Sequence, residues 1–373
     1  MIIGVLKEPA HEQRVALLPA EIGNLVKQNI QVSIQQDAGL SAFASNEEYE
    51  KAGAQLKSRE EILSQSDVVF CINKLDNAEI DKLKNKAVLF GVFAPYDNIE
   101  LIKYLQQKGI TTFSMDIVPR TTRAQSMDVL SSMATVAGYK AVLTAATELP
   151  RFFPMFMTAA GTITPAKLLI LGAGVAGLQA ISTARRLGAV VEAFDVRSAV
   201  KEEVQSLGAK FVEVEGAKDD KAAGGYAVEQ SEEFQQKQRE AIHNAAIKSD
   251  VVICTAQIPG RKAPLLLLNS SLKEMKKGSV VIDLAASSGG NCESTKNNET
   301  IIHEGVKVIG NSFYASTIPS DASKMYGKNL MNFMKLIIKE GQLHLNFEDD
   351  IVAGTCVTHD GNITNERVKG LIK

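Results

Sequence analysis

Three groups of residues in this sequence have the types and spacing to do chemistry. The first is the glycine loop in LLILGAGVAGLQA, where Gly172, Gly174 and Gly177 fall in the pattern G-x-G-x-x-G. An apolar run precedes it and a helical pattern follows, the setting that gives the pattern meaning. The first glycine would make the tight turn, the second would let backbone approach a pyrophosphate, and the third would let helix and strand pack closely. The phosphates would sit at the helix N-terminus, near Val175 and Ala176. The second group is Asp195, at the end of AVVEAFD and eighteen residues beyond Gly177, with Val196 and Arg197 behind it. A carboxylate there accepts hydrogen bonds from an adenosine ribose and repels a 2′-phosphate, favouring NAD(H) over NADP(H). Arg197 is ambiguous, because an arginine nearby can accommodate a 2′-phosphate; beside Asp195 it is not read so. A purely structural glycine turn, or a site for FAD or another adenosine compound, is the competing reading.

The third group is VPRTTRAQSMDVLSS, Val118 to Ser132. It gathers Arg120, Arg123, Gln125, Asp128, Ser131 and Ser132 without one Cys, His or Glu. Such a set is rich in donors and acceptors and holds no obvious nucleophile. It suits the holding of a polar ligand; a helix N-terminus decorated with solvated polar groups has the same composition.

Two loops join these groups. GAKDDKAAGGYAVE is longer than the ~2–6 residues a strand–helix connection needs. It carries Gly224, Gly225 and Tyr226. A flap closing on a cofactor, with Gly225 and Tyr226 as contacts, and an idle insertion are both open readings. TAQIPGRKAP puts Thr255, Ala256 and Gln257 where a nicotinamide ribose would lie, at the carboxyl end of a strand. Gly289 and Gly290 of SSGGNC would shape the same crevice, with Cys292 a bystander rather than a nucleophile. Only one glycine fingerprint exists, so the chain is expected to hold one dinucleotide.

The elements that must position these residues alternate in type. Strand candidates IIGVLKE, VSIQQDA, VVFCI, AVLFGVF and TTFSMDI are separated by helical patterns such as PAEIGNLVKQN and NIELIKYLQQKG. That alternation predicts a parallel α/β sheet. A second set at 167–171, 189–194, 209–214, 251–255, 279–284 and 306–310 matches the two βαβαβ halves of a dinucleotide fold. SDASKMYGKNLMNFMKLIIKEG reads as one long helix, capped by Ser/Asp and ended by Gly341. IVAGTCVTHDGNITN carries a hairpin signal at Asp360-Gly361. The expected fold is α/β, with two doubly wound Rossmann-like domains, long linking helices and a C-terminal β-hairpin. The expected domains are 1–135 plus 315–373, and a dinucleotide domain at 136–314.

Totals exclude several classes. The 373 residues suggest two ordinary domains, and 45% hydrophobic with 23% charged is the composition of a folded soluble chain. A net charge of −2 gives no footprint for nucleic acid or anionic lipid. Four dispersed cysteines and five scattered histidines offer neither CxxC nor HExxH, which argues against a disulfide framework and a metal. No signal peptide is visible, and the apolar stretch Phe152–Ala184 is broken by two prolines and four glycines, against a membrane span.

At this point the residues resemble the superfamily of alanine dehydrogenases and the NAD(H)-binding part of proton-translocating transhydrogenases. The resemblance runs over nearly the whole chain, through EQRVALLP, ILGAGVAGLQA, IPGRKAP and MKKGSVVIDLA; RAQSMDVLSS, AGGYA and GGNC resemble the transhydrogenase branch. The alanine dehydrogenase lysine, histidine and aspartate fall at Cys71, Ala94 and Ser287, while Arg14 is retained. A 2-oxo acid needs a carboxylate clamp and a proton donor, so losing the acid–base groups argues against amino-acid chemistry. The resemblance implies hydride passage from bound NADH to NADP(H) held on a partner chain, coupled to protons crossing a membrane. It assigns Arg120, Asp128 and Ser131 to orienting the nicotinamide, and Gln125 to reaching the partner's nucleotide. It implies a homodimer at the cytoplasmic face of the membrane, held by a membrane-spanning subunit and an NADP(H)-binding beta subunit. The ending NITNERVKGLIK carries no anchor, which fits a split alpha chain or a truncated one. An alanine dehydrogenase-like enzyme and a non-enzymatic NAD(H) sensor are the rival readings.

Overall fold

The computed structural model describes residues 1–214, 216, 231–258 and 260–372. It divides into two units, Met1–Met133 with Ser316–Lys373, and Ala134–Ala315. Six strands open the chain: β1 (Ile2–Val5), β2 (Gln31–Gln35), β3 (Gln55–Lys57), β4 (Val68–Phe70), β5 (Val88–Gly91) and β6 (Thr111–Ser114). A hairpin follows, β7 (Phe156–Thr158) and β8 (Gly161–Ile163). The second unit then adds β9 (Lys167–Leu171), β10 (Val190–Phe194), β11 (Lys210–Phe211), β12 (Val251–Cys254), β13 (Val280–Asp283), β14 (Thr300–His303) and β15 (Val306–Gly310). The C-terminal region contributes β16 (Ile338–Lys339), β17 (Gln342–Leu343), β18 (Cys356–His359) and β19 (Asn362–Ile363).

In the first unit the sheet order is β19-β18-β6-β5-β4-β1-β2-β3. Strands β1 to β6 pair in parallel, and β18 joins β6 antiparallel. Each central strand feeds a core on both faces. Val68 and Phe70 enter one cluster while Val69 enters the other. That two-sided burial is why these strands read as unbroken apolar runs. The long helix Pro319–Ile337 packs on one face through Phe333, whose ring lies 5.4 Å from Phe113 and 5.8 Å from Phe90.

The second unit has the order β11-β10-β9-β12-β13-β15-β14, all parallel except the edge strand β14. Counting strands within the unit, this is 3-2-1-4-5-6 plus one, the doubly wound dinucleotide order. The α/β class is as the sequence indicates, with two Rossmann-like sheets and the C-terminal hairpin at Asp360 (φ 46°) and Gly361 (φ 73°).

Several local expectations need correction. β3 and β14 lie outside the strand candidates, and the run at 209–214 pairs only at Lys210–Phe211. The long helix ends at Ile337, and Gly341 sits instead in the turn between β16 and β17 with φ 74°. IVAGT belongs to the helix Asp350–Thr355 rather than to a β run. The apolar stretch 152–184 resolves into a loop, a hairpin, β9 and a helix start. The one described helix long and apolar enough to cross a membrane is instead Val129–Glu148. Its Ala141, Val142 and Ala145 are fully buried in the core of the second unit.

Candidate functional site

The glycine loop follows β9 and opens the helix Val175–Arg186. Gly172 has φ 100°, and a Cβ there would lie 2.7 Å from the Thr255 hydroxyl oxygen. A Cβ on Gly177 would meet the Gly172 carbonyl oxygen at 1.9 Å, so only hydrogen fits between helix and turn. Gly174 is the opposite case: apart from its own chain neighbours and helix backbone, no described residue has a heavy atom within 4 Å of where its Cβ would be. It is also the helix N-cap, and as a glycine it has no side chain with which to cap the first-turn N–H groups. Val175 is 42% exposed. Backbone donors, a helix dipole and open space beside Gly174 are what a pyrophosphate requires. The residues present therefore fit a dinucleotide.

Thr255 follows β12, the strand next to β9, and donates its hydroxyl proton to the Gly172 carbonyl at 2.9 Å. This hydroxyl braces the glycine turn. Ala256 is held at both backbone atoms by Asn291: its N–H donates to Oδ1 at 3.0 Å, and its carbonyl accepts from Nδ2 at 2.8 Å. The same Nδ2 reaches the Pro264 carbonyl at 2.8 Å. Gln257, beyond this brace, is exposed.

Asn291 is in turn fixed by Asp283. The Asp283 carboxylate is fully buried at the end of β13 and accepts from Asn291 N at 2.7 Å, Cys292 N at 3.0 Å and Thr295 Oγ1 at 2.6 Å. Sequence reasoning credits the flanking glycines with shaping this loop and passes over Asn291 and Asp283. The available signal is a charged residue ending a continuous apolar strand. Cys292 is buried, and burial pushes its thiol up to about 11. It is a poor nucleophile.

Asp195 stands just past β10. Its Oδ2 accepts from Ala173 N at 2.7 Å, tying the carboxylate to the glycine loop. Arg197 supplies its backbone N–H at 2.8 Å and Nε at 2.9 Å to Oδ1, and Nη2 at 2.7 Å to Oδ2. Val196 is half-buried. Gly225 and Tyr226, the expected flap contacts, lie outside the described residues.

In the first unit, the polar stretch is a short 3-10 helix, Thr122–Met127, running into the helix Val129–Glu148. Ala124 and Met127 are buried, and the Ser126 carbonyl accepts from Asn329 at 2.8 Å and Asn332 at 3.1 Å. Arg120 and Gln125 are exposed. Asp128 and Ser131 are brought together: the carboxylate accepts from Ser131 N at 2.9 Å and Oγ at 2.6 Å. This is a helix cap, so both side chains are fixed before any ligand arrives. Arg123 faces Asp349 and Asp350 and staples the stretch to the C-terminal region.

Of the positions that the resemblance relates to alanine dehydrogenase chemistry, Cys71, Ala94 and Ser287 hold other residue types and Arg14 is retained. Cys71 is buried, and burial raises its pKa well above the thiol range. Ala94 has φ 45° and donates its N–H to Asp116 at 3.1 Å. Arg14 donates Nε and Nη2 to Glu12 at 2.8 and 2.6 Å. The Nε–Nη2 edge of its guanidinium is engaged by that carboxylate.

Comparison with known proteins bears on the whole chain. Residues 4–137 match the family model described as "Alanine dehydrogenase/PNT, N-terminal domain", and residues 141–366 match "Alanine dehydrogenase/PNT, C-terminal domain". A chain of the NAD(P) transhydrogenase alpha subunit from Rhodospirillum rubrum is 43% identical over 369 residues, covering 96% of each chain. The crystal structure of transhydrogenase from Sinorhizobium meliloti has a TM-score of 0.89 at 43% identity, over 97% of this chain and 100% of that one. Alanine dehydrogenase from Mycolicibacterium smegmatis is more distant, 25% identical over 99% of this chain and 96% of its own.

Proposed function

The chain belongs to the alanine dehydrogenase/PNT family, alongside the transhydrogenase alpha subunits, and from that membership we propose how it works. It binds NAD(H) and passes hydride directly between NADH and NADP+ held on a partner chain. The observation that supports this reading is an open glycine loop at a helix N-terminus, Gly172–Gly177, in a chain with Cys71 and Ala94 where amino-acid chemistry needs acid–base groups. When bound, the dihydronicotinamide supplies a hydride from C4, leaving NAD+ as the acceptor becomes NADPH.

This chain's residues have the remaining tasks. Gly174 and the helix N-terminus hold the pyrophosphate, and Asp195 holds the adenosine ribose. Arg120, Asp128 and Ser131 orient the nicotinamide, with Asp128 and Ser131 prefixed by their mutual hydrogen bonds. Exposed Gln125 reaches the partner's nucleotide. Transfer between two nicotinamides needs no nucleophile and no proton at the reacting carbons, only held geometry and excluded water. Proton movement is coupled by a membrane-spanning subunit, and an NADP(H)-binding beta subunit completes the active complex at the cytoplasmic face. We also assign a homodimer. Hairpin β7–β8 exposes every residue of both strands, including Met157 at 76%, and a two-stranded hairpin alone is marginal in water.

The test is reconstitution with the NADP(H)-binding subunit and NADH deuterated at C4. Deuterium should appear in NADPH without exchange into water. The Gln125→Asn variant should keep NADH affinity and slow transfer by about 100-fold, the scale expected from misplaced reacting groups. Equal loss of binding and transfer would remove Gln125 from that role.

A further inference from the structure

Resting on the nucleotide reading above, we propose that Arg197 is an internal competitor for the ribose site and sets the affinity and selectivity of that site. An ionised carboxylate offers about four lone-pair positions. All four on Asp195 are met by N–H groups: Ala173 N, Arg197 N, Arg197 Nε and Arg197 Nη2, at 2.7, 2.8, 2.9 and 2.7 Å. The Asp195 side chain is 6% exposed and that of Arg197 is 26% exposed.

The four donors differ in kind. Two are backbone N–H groups, one on the glycine loop and one just after the strand, and they stay in place whatever the guanidinium does. The other two belong to a long, part-exposed side chain that can swing away. A ribose diol also brings two O–H donors. It can therefore replace the guanidinium fork donor for donor while Ala173 and the Arg197 backbone keep Asp195 aimed. The ribose site exists only in the fraction of molecules whose Arg197 side chain has left, and apparent affinity falls by that fraction.

The same pair bears on selectivity. Paired with Arg197, Asp195 repels a 2′-phosphate less than a bare carboxylate would. Removing the guanidinium should tighten the site for a ribose with a free 2′-hydroxyl and loosen it for one bearing a 2′-phosphate. A residue that simply contacted adenosine, or only preorganised Asp195, would weaken both ligands when removed.

The experiment is calorimetric titration of the full chain, as wild type, Arg197→Ala and Arg197→Gln, with NADH, 5′-AMP and 2′,5′-ADP. Arg197→Ala should bind NADH and 5′-AMP about three- to tenfold tighter, the size of the fraction removed, and 2′,5′-ADP more weakly. Arg197→Gln, which keeps a neutral donor, should fall between and serves if the alanine variant does not fold. Weaker or unchanged 5′-AMP binding in a folded variant would overturn the proposal. Wild type that binds NADH while neither variant tightens fails this inference alone; wild type that binds no NADH fails the nucleotide reading itself.

Discussion

The two units share a strand order and differ at the crevice where that order reverses. Counting only the parallel strands of each unit, both run 3-2-1-4-5-6. Ligands in such sheets bind outside the carboxyl ends of the strands at that reversal. In the second unit it lies between β9 and β12, where Gly172 turns sharply, Thr255 braces the turn and Gly174 faces open space. In the first it lies between β1 and β4, beside a cavity of about 350 Å³ lined in part by Glu8, Arg59, Cys71, Asn73 and Glu79, and the loop backbone there is bonded by the chain's own carboxylates. The Glu8 carboxylate accepts from Ile72 N at 2.6 Å, Asn73 N at 3.0 Å and Asn73 Nδ2 at 2.9 Å. Arg14 is clamped by Glu12, and Asp116 holds the turn at Ala94. One crevice leaves backbone donors for a ligand's anion; the other satisfies them with its own. The lesson is that the loops after two or three strands, rather than the sheet, decide which copy of a fold works.

The largest test of this contrast is Glu12→Gln. It leaves the Arg14 guanidinium buried without its partner, and removing one member of a buried pair costs about 3–5 kcal/mol. Urea unfolding should show that loss, while NADH affinity of the folded chain stays within twofold of wild type, roughly 0.4 kcal/mol. Next is Gly177→Ala, whose Cβ would meet the Gly172 oxygen at 1.9 Å. Overpacking of about 2–3 kcal/mol at this site should weaken NADH binding by roughly 30- to 100-fold, read by fluorescence titration. Unchanged affinity would deny the glycine loop its role. Asp195→Ala should weaken NADH about tenfold and relax discrimination against NADPH, the loss expected for one charged hydrogen-bonding partner. An unchanged preference would count against its ribose contact.

The smallest effect is in pH. Burial raises the carboxyl pKa values of Glu8 and Asp116, so their neutral forms are favoured in the fold. Stability should rise as pH falls from neutral toward their range. Burial pushes Glu12 up as well, but its bonds and charge pairing with Arg14 override this and leave it below 4.5. Its contribution is complete above 4.5 and is lost as pH falls through its lowered pKa. The first unit should therefore be most stable on the acid side of neutral, and Glu12→Gln should remove the fall at lower pH. An optimum at neutral pH or above would contradict the assigned directions.

Much of this is legible in the sequence, for physical reasons. Parallel strands buried on both faces must be continuous apolar runs, so β1, β4, β5, β9, β12 and β13 stand out. β14 does not, because it lies at an edge with Ile302 65% exposed. β3 is a polar three-residue strand and carries no pattern at all. Gly172 and Gly177 are legible because contact geometry permits nothing larger. Asn291 is not, because its hydrogen bonds reach residues 27 and 35 positions away. Asp195 and Arg197 are close in sequence, yet which donors fill the carboxylate is a matter of side-chain conformation. Arg14 shows the same limit: its retention is visible, its engagement by Glu12 is not.

The most direct test of the transhydrogenase reading is NADH consumption by the purified chain alone, with saturating pyruvate and ammonium. NADH should bind in that sample without turnover, because Cys71, Ala94 and Ser287 stand where the resemblance expects the lysine, histidine and aspartate of amino-acid chemistry. Rapid turnover would show that other groups supply that acid–base chemistry, and would contradict the reading.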